Sequence, residues 1–235
     1  LMSHDSGHPI NIAIDGPAGA GKSTVARLVA SALRYVYVDT GAMYRAVTAI
    51  ALERGIPVLD EISIGRLAEE LDIRLQPDED GQRVWTDGRD VTSMLRTHEV
   101  NRNVSQVSSY EAVRLRMAEL QRRMAKEKGV VMDGRDIGTH VLPDAELKIF
   151  LTATPRERAL RRFRELGDDA DITLEQLEHD IAERDRMDRE RAIAPLLQAP
   201  DAKLVDSTGL AIERIVDDIA RWARAASRTI SAGEK

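Results

Sequence analysis

Five short apolar runs punctuate the chain, at residues 10–15 (INIAID), 35–39 (YVYVD), 130–133 (VVMD), 147–151 (LKIFL) and 203–206 (KLVD). Several are continuous rather than alternating, as expected of parallel strands covered on both faces. Amphipathic stretches between them predict helices over 22–33, 42–53, 110–128, 154–166, 174–187 and 212–226. In the third of these, Val113, Met117, Leu120 and Met124 share one face. Strands alternating with helices predict an α/β fold with a parallel sheet. Residues 66–98 break the rhythm. There, apolar pieces at 73–75 and 83–85 flank the turn-rich DEDG at 78–81, and a second turn follows at 87–88. That pattern predicts a small antiparallel β insertion. The expected layout is a core over 9–65 and 99–226, an insertion over 66–98, and disordered ends at 1–8 and 227–235.

Asp15, Asp39 and Asp133 close three of the runs. In open α/β sheets the ligand lies at the strands' carboxyl ends, so these carboxylates mark the edge to inspect. The first run leads directly into Gly16, Pro17, Ala18, Gly19, Ala20, Gly21, Lys22 and Ser23, followed by Thr24. This is G-x-x-x-x-G-K-[ST] between a strand and a helix. Glycines let successive backbone N–H groups turn toward phosphate oxygens, and the helix N-terminus adds a field that favours anions. Lys22 is placed to neutralise the β- and γ-phosphates, and Ser23 to ligate Mg²⁺. Either Asp15 or Asp133 is available to support the magnesium shell. GTPases, ATPases and small kinases all use such a loop, but no N-K-x-D follows, which argues against guanine recognition.

Further along, three segments carry charge to the same edge. DTGAMYR, residues 39–45, offers Thr40 as a helix cap or a site hydroxyl and Arg45 as a bidentate phosphate ligand. DGRDIG, residues 133–138, leaves the third strand with Arg135 and Asp136. The same four letters DGRD recur at 87–90, where they read as a turn. ERDRMDRER, residues 183–191, puts Arg184, Asp188 and Arg191 on one helical face, spread over about 10.5 Å.

Composition narrows the ligand. The net charge is −6 over 235 residues, yet arginines cluster at 156–164 and 184–191. Aromatics make up 3% and no basic surplus exists, which argues against nucleic acid. Basic clusters within an acidic chain fit a small phosphorylated ligand. There is no Cys and no apolar run long enough to span a membrane. A cytoplasmic monomer is expected.

Taken together, IDGPAGAGKST, VDTGAMYRA, NVSQVSS, MDGRDIGT, VLPDAELKIFL, RDRMDRERAIAPL and LVDST resemble, in order, the blocks of the bacterial cytidylate kinases. The resemblance covers about residues 10–226. It implies an adenylate-kinase-like core with a five-stranded parallel sheet, and an enlarged nucleoside-monophosphate insert at 66–98. It implies the reaction ATP + (d)CMP ⇌ ADP + (d)CDP with Mg²⁺. By that likeness Ser105, Arg114 and Asp136 contact cytosine, and Arg45, Arg135, Arg184 and Arg191 hold phosphates. Thr40 and Asp188 face the sugar, and Lys22, Arg184 and Arg191 serve the transfer. A lid is expected over 160–190, around 167–173. The alternatives are a P-loop kinase for another nucleoside monophosphate or small acceptor, or a nucleotide-binding module without chemistry.

Overall fold

The computed structural model describes residues 8–79, 81–167 and 172–233. Its central sheet has the order β2-β6-β1-β7-β8, with every pairing parallel. The strands are β1 (Asn11–Asp15), β2 (Val36–Asp39), β6 (Val130–Gly134), β7 (Leu147–Thr152) and β8 (Lys203–Asp206). Register brings Asp39 beside Asp133 and Asp15 beside Gly134, so the three strand-ending carboxylates stand along one edge.

The inner strands are apolar on both sides because both are covered. Ile10, Ile12 and Ile14 meet α1 (Lys22–Leu33) and α8 (Ile212–Gly233), while Ala13 and Met132 face α5 (Glu111–Met124). Helix α2 (Thr40–Glu53), α3 (Glu61–Glu70), α4 (His98–Val107) and α5 share a second aliphatic core with β3 (Ile73–Asp78) and β4 (Gly81–Thr86). A short β5 (Arg89–Asp90) completes a separate antiparallel sheet, β3-β4-β5. Asp87 and Gly88, both with positive φ, turn β4 into β5. In the second DGRD, Arg89 pairs with Glu53 and Asp90 accepts from Thr92, so those groups serve the insertion itself.

Helix α6 (Pro155–Leu166) starts on a Thr154 cap with Pro155 in its first turn, and α7 (Leu174–Glu190) on a reciprocal Thr173–Gln176 capping box. Of the expected lid stretch 167–173, residues 168–171 lie outside the described residues. Among the described residues no helix is long and apolar enough to cross a membrane.

Several expectations are corrected. Antiparallel strands fill only 73–90, because 66–70 is the end of α3 and 92–94 is a 3₁₀ turn. Residues 227–233 are helical: Ala226 and Ile230 extend the apolar stripe of α8, and Ser227 Oγ donates to His8 O at 2.7 Å. That bond also ties down His8 at the other expected disordered end, whose residues 1–7 lie outside the described residues. Helix α7 stops at Glu190, and Arg191 is its extended capping residue.

Candidate functional site

A cleft of ≈ 1390 Å³ runs along the carboxyl edge of the sheet. Single small-molecule pockets occupy about 300–1,000 Å³, so there is room for two nucleotides side by side.

Its floor is the phosphate loop between β1 and α1. Gly16 allows a close approach that no side chain permits: a β-carbon there would lie 1.9 Å from Leu151 O. Gly16 and Pro17 are buried behind the loop, while Ala18, Gly19, Ala20, Gly21, Lys22, Ser23 and Thr24 line the cleft. Lys22 Nζ donates to Pro17 O at 2.8 Å. Burial, then the positive charge of Arg135, push the Lys22 ammonium well below its usual pKa. Ser23 Oγ donates to Asp133 Oδ2 at 3.0 Å, and Tyr37 OH donates to Asp133 Oδ1 at 3.1 Å. Burial, with Asp39 next to it, raises Asp133 to about 7. Asp15 is committed elsewhere. Its two oxygens accept from Ile137 N and Gly138 N at 2.8 and 2.7 Å, in the single turn of π-helix that follows β6.

Opposite the loop, cations converge. Arg135 Nε donates to Asp188 Oδ2 at 2.8 Å. Burial alone would raise Asp188, but Arg135 and Arg184 hold it below the usual carboxylate range. Burial, then Arg135 and Arg45, lower Arg184 to about 9. Arg45 is also lowered by burial, against the pull of Asp39. The Nε atoms of Arg45 and Arg184 are buried donors without an acceptor among the described residues. Like charges crowded this way are costly unless a polyanion joins them.

A second pole lies deeper. Arg114 Nη2 meets Asp136 Oδ2 at 2.6 Å, and its Nη1 donates to Ser108 O at 2.9 Å. The guanidinium lies 5.2 Å from the centre of the Tyr44 ring, whose hydroxyl burial pushes up to about 12. Arg191 reaches toward both poles: Nη2 is 3.7 Å from Asp136 Oδ1 and Nη1 is 3.8 Å from Asp188 Oδ1, while Nε is anchored on Ala194 O at 2.7 Å. Ser105 lines the wall nearby.

Thr40 does not cap α2. Asp39 does, accepting from Ala42 N at 2.9 Å, and Thr40 is the first helical residue. Its hydroxyl donates to Asp133 O at 2.7 Å, which leaves lone pairs for the cleft. Lys22, Ser23, Thr24, Thr40, Arg45, Ser105, Arg114, Asp133, Arg135, Asp136, Arg184, Asp188 and Arg191 all line this one cleft, whereas Gly16, Pro17 and Asp15 do not.

Sequence reasoning missed Tyr37, Tyr44, and the His98, Asn101 and Arg102 wall of α4. The only helical signal in α4 was Val100, Val104 and Val107, spaced by four and three. Arg158, one of the arginines that the 156–164 cluster offered to a ligand, is buried outside the cleft.

A sequence profile described as cytidylate kinase matches residues 12–225. The cytidylate kinase of Shouchella clausii (strain KSM-K16) is 52% identical over 210 residues, covering 89% of this chain and 93% of that one. The cytidylate kinase of Bacillus subtilis (strain 168) is 48% identical over 211 residues, covering 89% and 94%. Among solved structures, an uncharacterized protein from Eubacterium ventriosum ATCC 27560 superposes with a TM-score of 0.52 at 12% identity, over 91% of this chain and 98% of that one, a likeness of fold alone. The chain belongs to the cytidylate kinase family.

Proposed function

We propose that this cleft transfers the γ-phosphoryl group of ATP to CMP or dCMP, giving ADP and CDP or dCDP, with the following division of labour. Backbone amides of 18–23 and Lys22 hold the donor phosphates. Arg45 and Arg135 hold the acceptor phosphate. Arg184 and Arg191, half-buried between the two, stabilise the charge that develops on the moving group. Such a transfer needs in-line placement and charge stabilisation rather than a covalent intermediate.

The deeper pole suits cytosine. Its exocyclic amine is a donor, and its carbonyl and ring nitrogen are acceptors. Asp136 accepts from the amine, Arg114 donates to the acceptors, and Ser105 does either. Uracil presents a carbonyl where the amine should be, and a carboxylate facing that carbonyl is left unpaired. Thr40 can only accept from a sugar hydroxyl, since its proton is engaged with Asp133. Asp188 accepts from the other side.

Ser23 Oγ and Asp133 Oδ2 form a hard oxygen pair suited to Mg²⁺. Among the described residues no group of three or more His, Asp or Glu could hold a metal, which fits an ion that takes most of its ligands from phosphates and water. Ser23 and Asp133 would hold Mg²⁺ there, and the ion would offset the charge of the donor phosphates. Asp133 is the supporting carboxylate, because Asp15 is occupied by two backbone amides. The α6–α7 hairpin acts as the lid that excludes water.

One observation carries the reading: the phosphate loop, four converging arginines and the Arg114–Asp136 pair line a single cleft. A coupled ADP-release assay over CMP, dCMP, UMP, AMP and shikimate tests it. CMP and dCMP should support release with Mg²⁺ present. If neither does, or if another acceptor outperforms both, the assignment fails.

A further inference from the structure

Helices α6 and α7 lean on each other with little apolar support. Their buried side chains are Arg158, Ala159, Leu177, Asp185 and Asp188, whereas Phe163, Leu166 and Met187 are exposed. In place of a hydrophobic seam stands one buried ion pair, Arg158–Asp185, whose side chains are 2% and 5% exposed, beside a solvent-facing Arg156–Glu178 pair.

Arg158 spends nearly its whole guanidinium on this junction. Nη2 and Nη1 donate to Asp185 Oδ2 and Oδ1 at 2.6 and 3.1 Å. Nη1 also donates to Ala18 O at 2.9 Å, and Nε to Ala153 O at 3.0 Å. Ala18 belongs to the phosphate loop. The loop passes so close that a β-carbon on Gly19 would sit 3.2 Å from Arg158 Cβ. Asp185 directly follows Arg184 on α7. One side chain therefore joins the phosphate loop, the start of α6 and the middle of α7 without entering the cleft.

Stability alone is a weak reason for such a pair. Replacing a buried ion pair by apolar residues of similar volume is often neutral or stabilising. What a bidentate fork supplies is a fixed distance and orientation. Building on the function proposed above, we propose that Arg158 is a positioning residue for phosphoryl transfer: through Asp185 it sets Arg184 at a fixed separation from the loop that carries Lys22. Arg161, one turn further along α6, ties that helix to the loop a second time, with Nη1 on Ser207 Oγ at 3.0 Å and on Ala20 O at 3.4 Å. A misplacement of about 1 Å in such a constellation can cost about 10²-fold in rate.

The test is initial-rate kinetics on the whole chain with ATP and CMP. In R158M/D185L, apolar side chains replace the pair, and circular dichroism and melting report whether the fold survives. The expected result is a kcat lower by about 10²-fold, with KM for ATP and for CMP near the parent's, the pattern of an interaction made only in the transition state. The same pair of substitutions placed on Arg184→Ala should lower kcat little further, because the arm being positioned is already gone. R158K keeps the charge without the fork. It should also lose kcat and show the same non-additivity with Arg184→Ala, and it carries both comparisons if the double variant does not fold. A parental kcat in a folded R158M/D185L, or losses that multiply with Arg184→Ala, would overturn the proposal. Absence of CMP-dependent ADP release in the parent would instead refute the functional reading, so the two failures are distinct.

Discussion

The acceptor-side scaffold and the α6–α7 hairpin face each other across one cleft and are held by different forces. On the first, Met43, Val47, Ile50, Ile64, Leu67, Val84, Val104, Val113 and Met117 form a continuous aliphatic core, and Arg45, Ser105 and Arg114 project from the helices that build it. On the second, few apolar side chains are buried, and ion pairs and backbone acceptors provide the contact. Apolar packing is dense and tolerates little rearrangement. A charged seam can separate into water, where its groups are solvated again. Local opening draws on the least apolar parts of a fold, and lids are taken from that end. On the function proposed above, base selection would rest on the apolar side, and Arg184 would rest on the side with less apolar support.

Arg184→Ala gives the largest expected effect. Kinetics should show kcat down by about 10²–10³-fold, the cost of losing one preorganised charge donor. The melting temperature should hold or rise, because Arg184 is crowded by Arg135 and Arg45 and burial has already lowered its pKa to about 9. A variant that melts early with intact kcat would mean that Arg184 is a structural cation, and the contrast between the two sides would collapse.

The converse belongs to the scaffold. Ile64 is fully buried in the aliphatic core. Ile64→Ala should cost about 3 kcal/mol in urea unfolding, while kcat below the transition stays close to the parent's. Leu177→Ala on the hairpin should lower the free energy of global unfolding by about 1 kcal/mol or less, since that segment can open locally. Equal costs would show that the hairpin has a core of its own.

How far all this could be read from the chain differs between the same two regions. The phosphate loop was legible because every residue it needs is contiguous and flanked by its strand and helix. Arg45, Arg135 and Arg184 were legible because each lies just beyond a strand end or on a helix with a clear face. Arg158 was not. RERALRR offers arginines at 156, 158, 161 and 162 with the same chemistry, and only a partner 27 positions away decides which is buried. Helix α4 was hidden because three valines in a polar decapeptide are a faint stripe. The length of α8 was underestimated because its last turns carry Ser and Thr, whose helix preference is weak.

A smaller effect concerns the carboxylate that ties the sheet to the acceptor side. Burial raises Asp15 from 3.8 to about 6, against the hydrogen bonds from Gly138 and Ile137. A carboxyl whose folded pKa lies above its unfolded one binds the proton more tightly when folded. Its contribution is therefore fully present below 3.8 and is lost as pH rises through about 6. Between those values Asp15 should make stability fall by at most roughly 2–3 kcal/mol as pH rises. Asp15→Asn should flatten that part of the urea-midpoint profile. An unchanged slope would place the titration elsewhere.

The smallest effect is the sharpest control, because it lies on the same helix as the largest. Arg186 is two positions from Arg184 but faces outward, where it pairs with Glu183 at 2.9 Å and Glu190 at 2.9 Å on an exposed surface. Both ion pairs are screened by solvent and made within one helix, so neither holds α7 to anything else. Arg186→Ala should leave kcat, both KM values and the melting temperature indistinguishable from the parent's. If arginine content of α7 were what mattered, through a general positive field over the cleft, Arg186→Ala would lower kcat/KM and its loss would shrink with added salt. A salt-independent null result assigns the work to the inner face of α7, where one buried fork on Arg158 and one crowded cation on Arg184 meet.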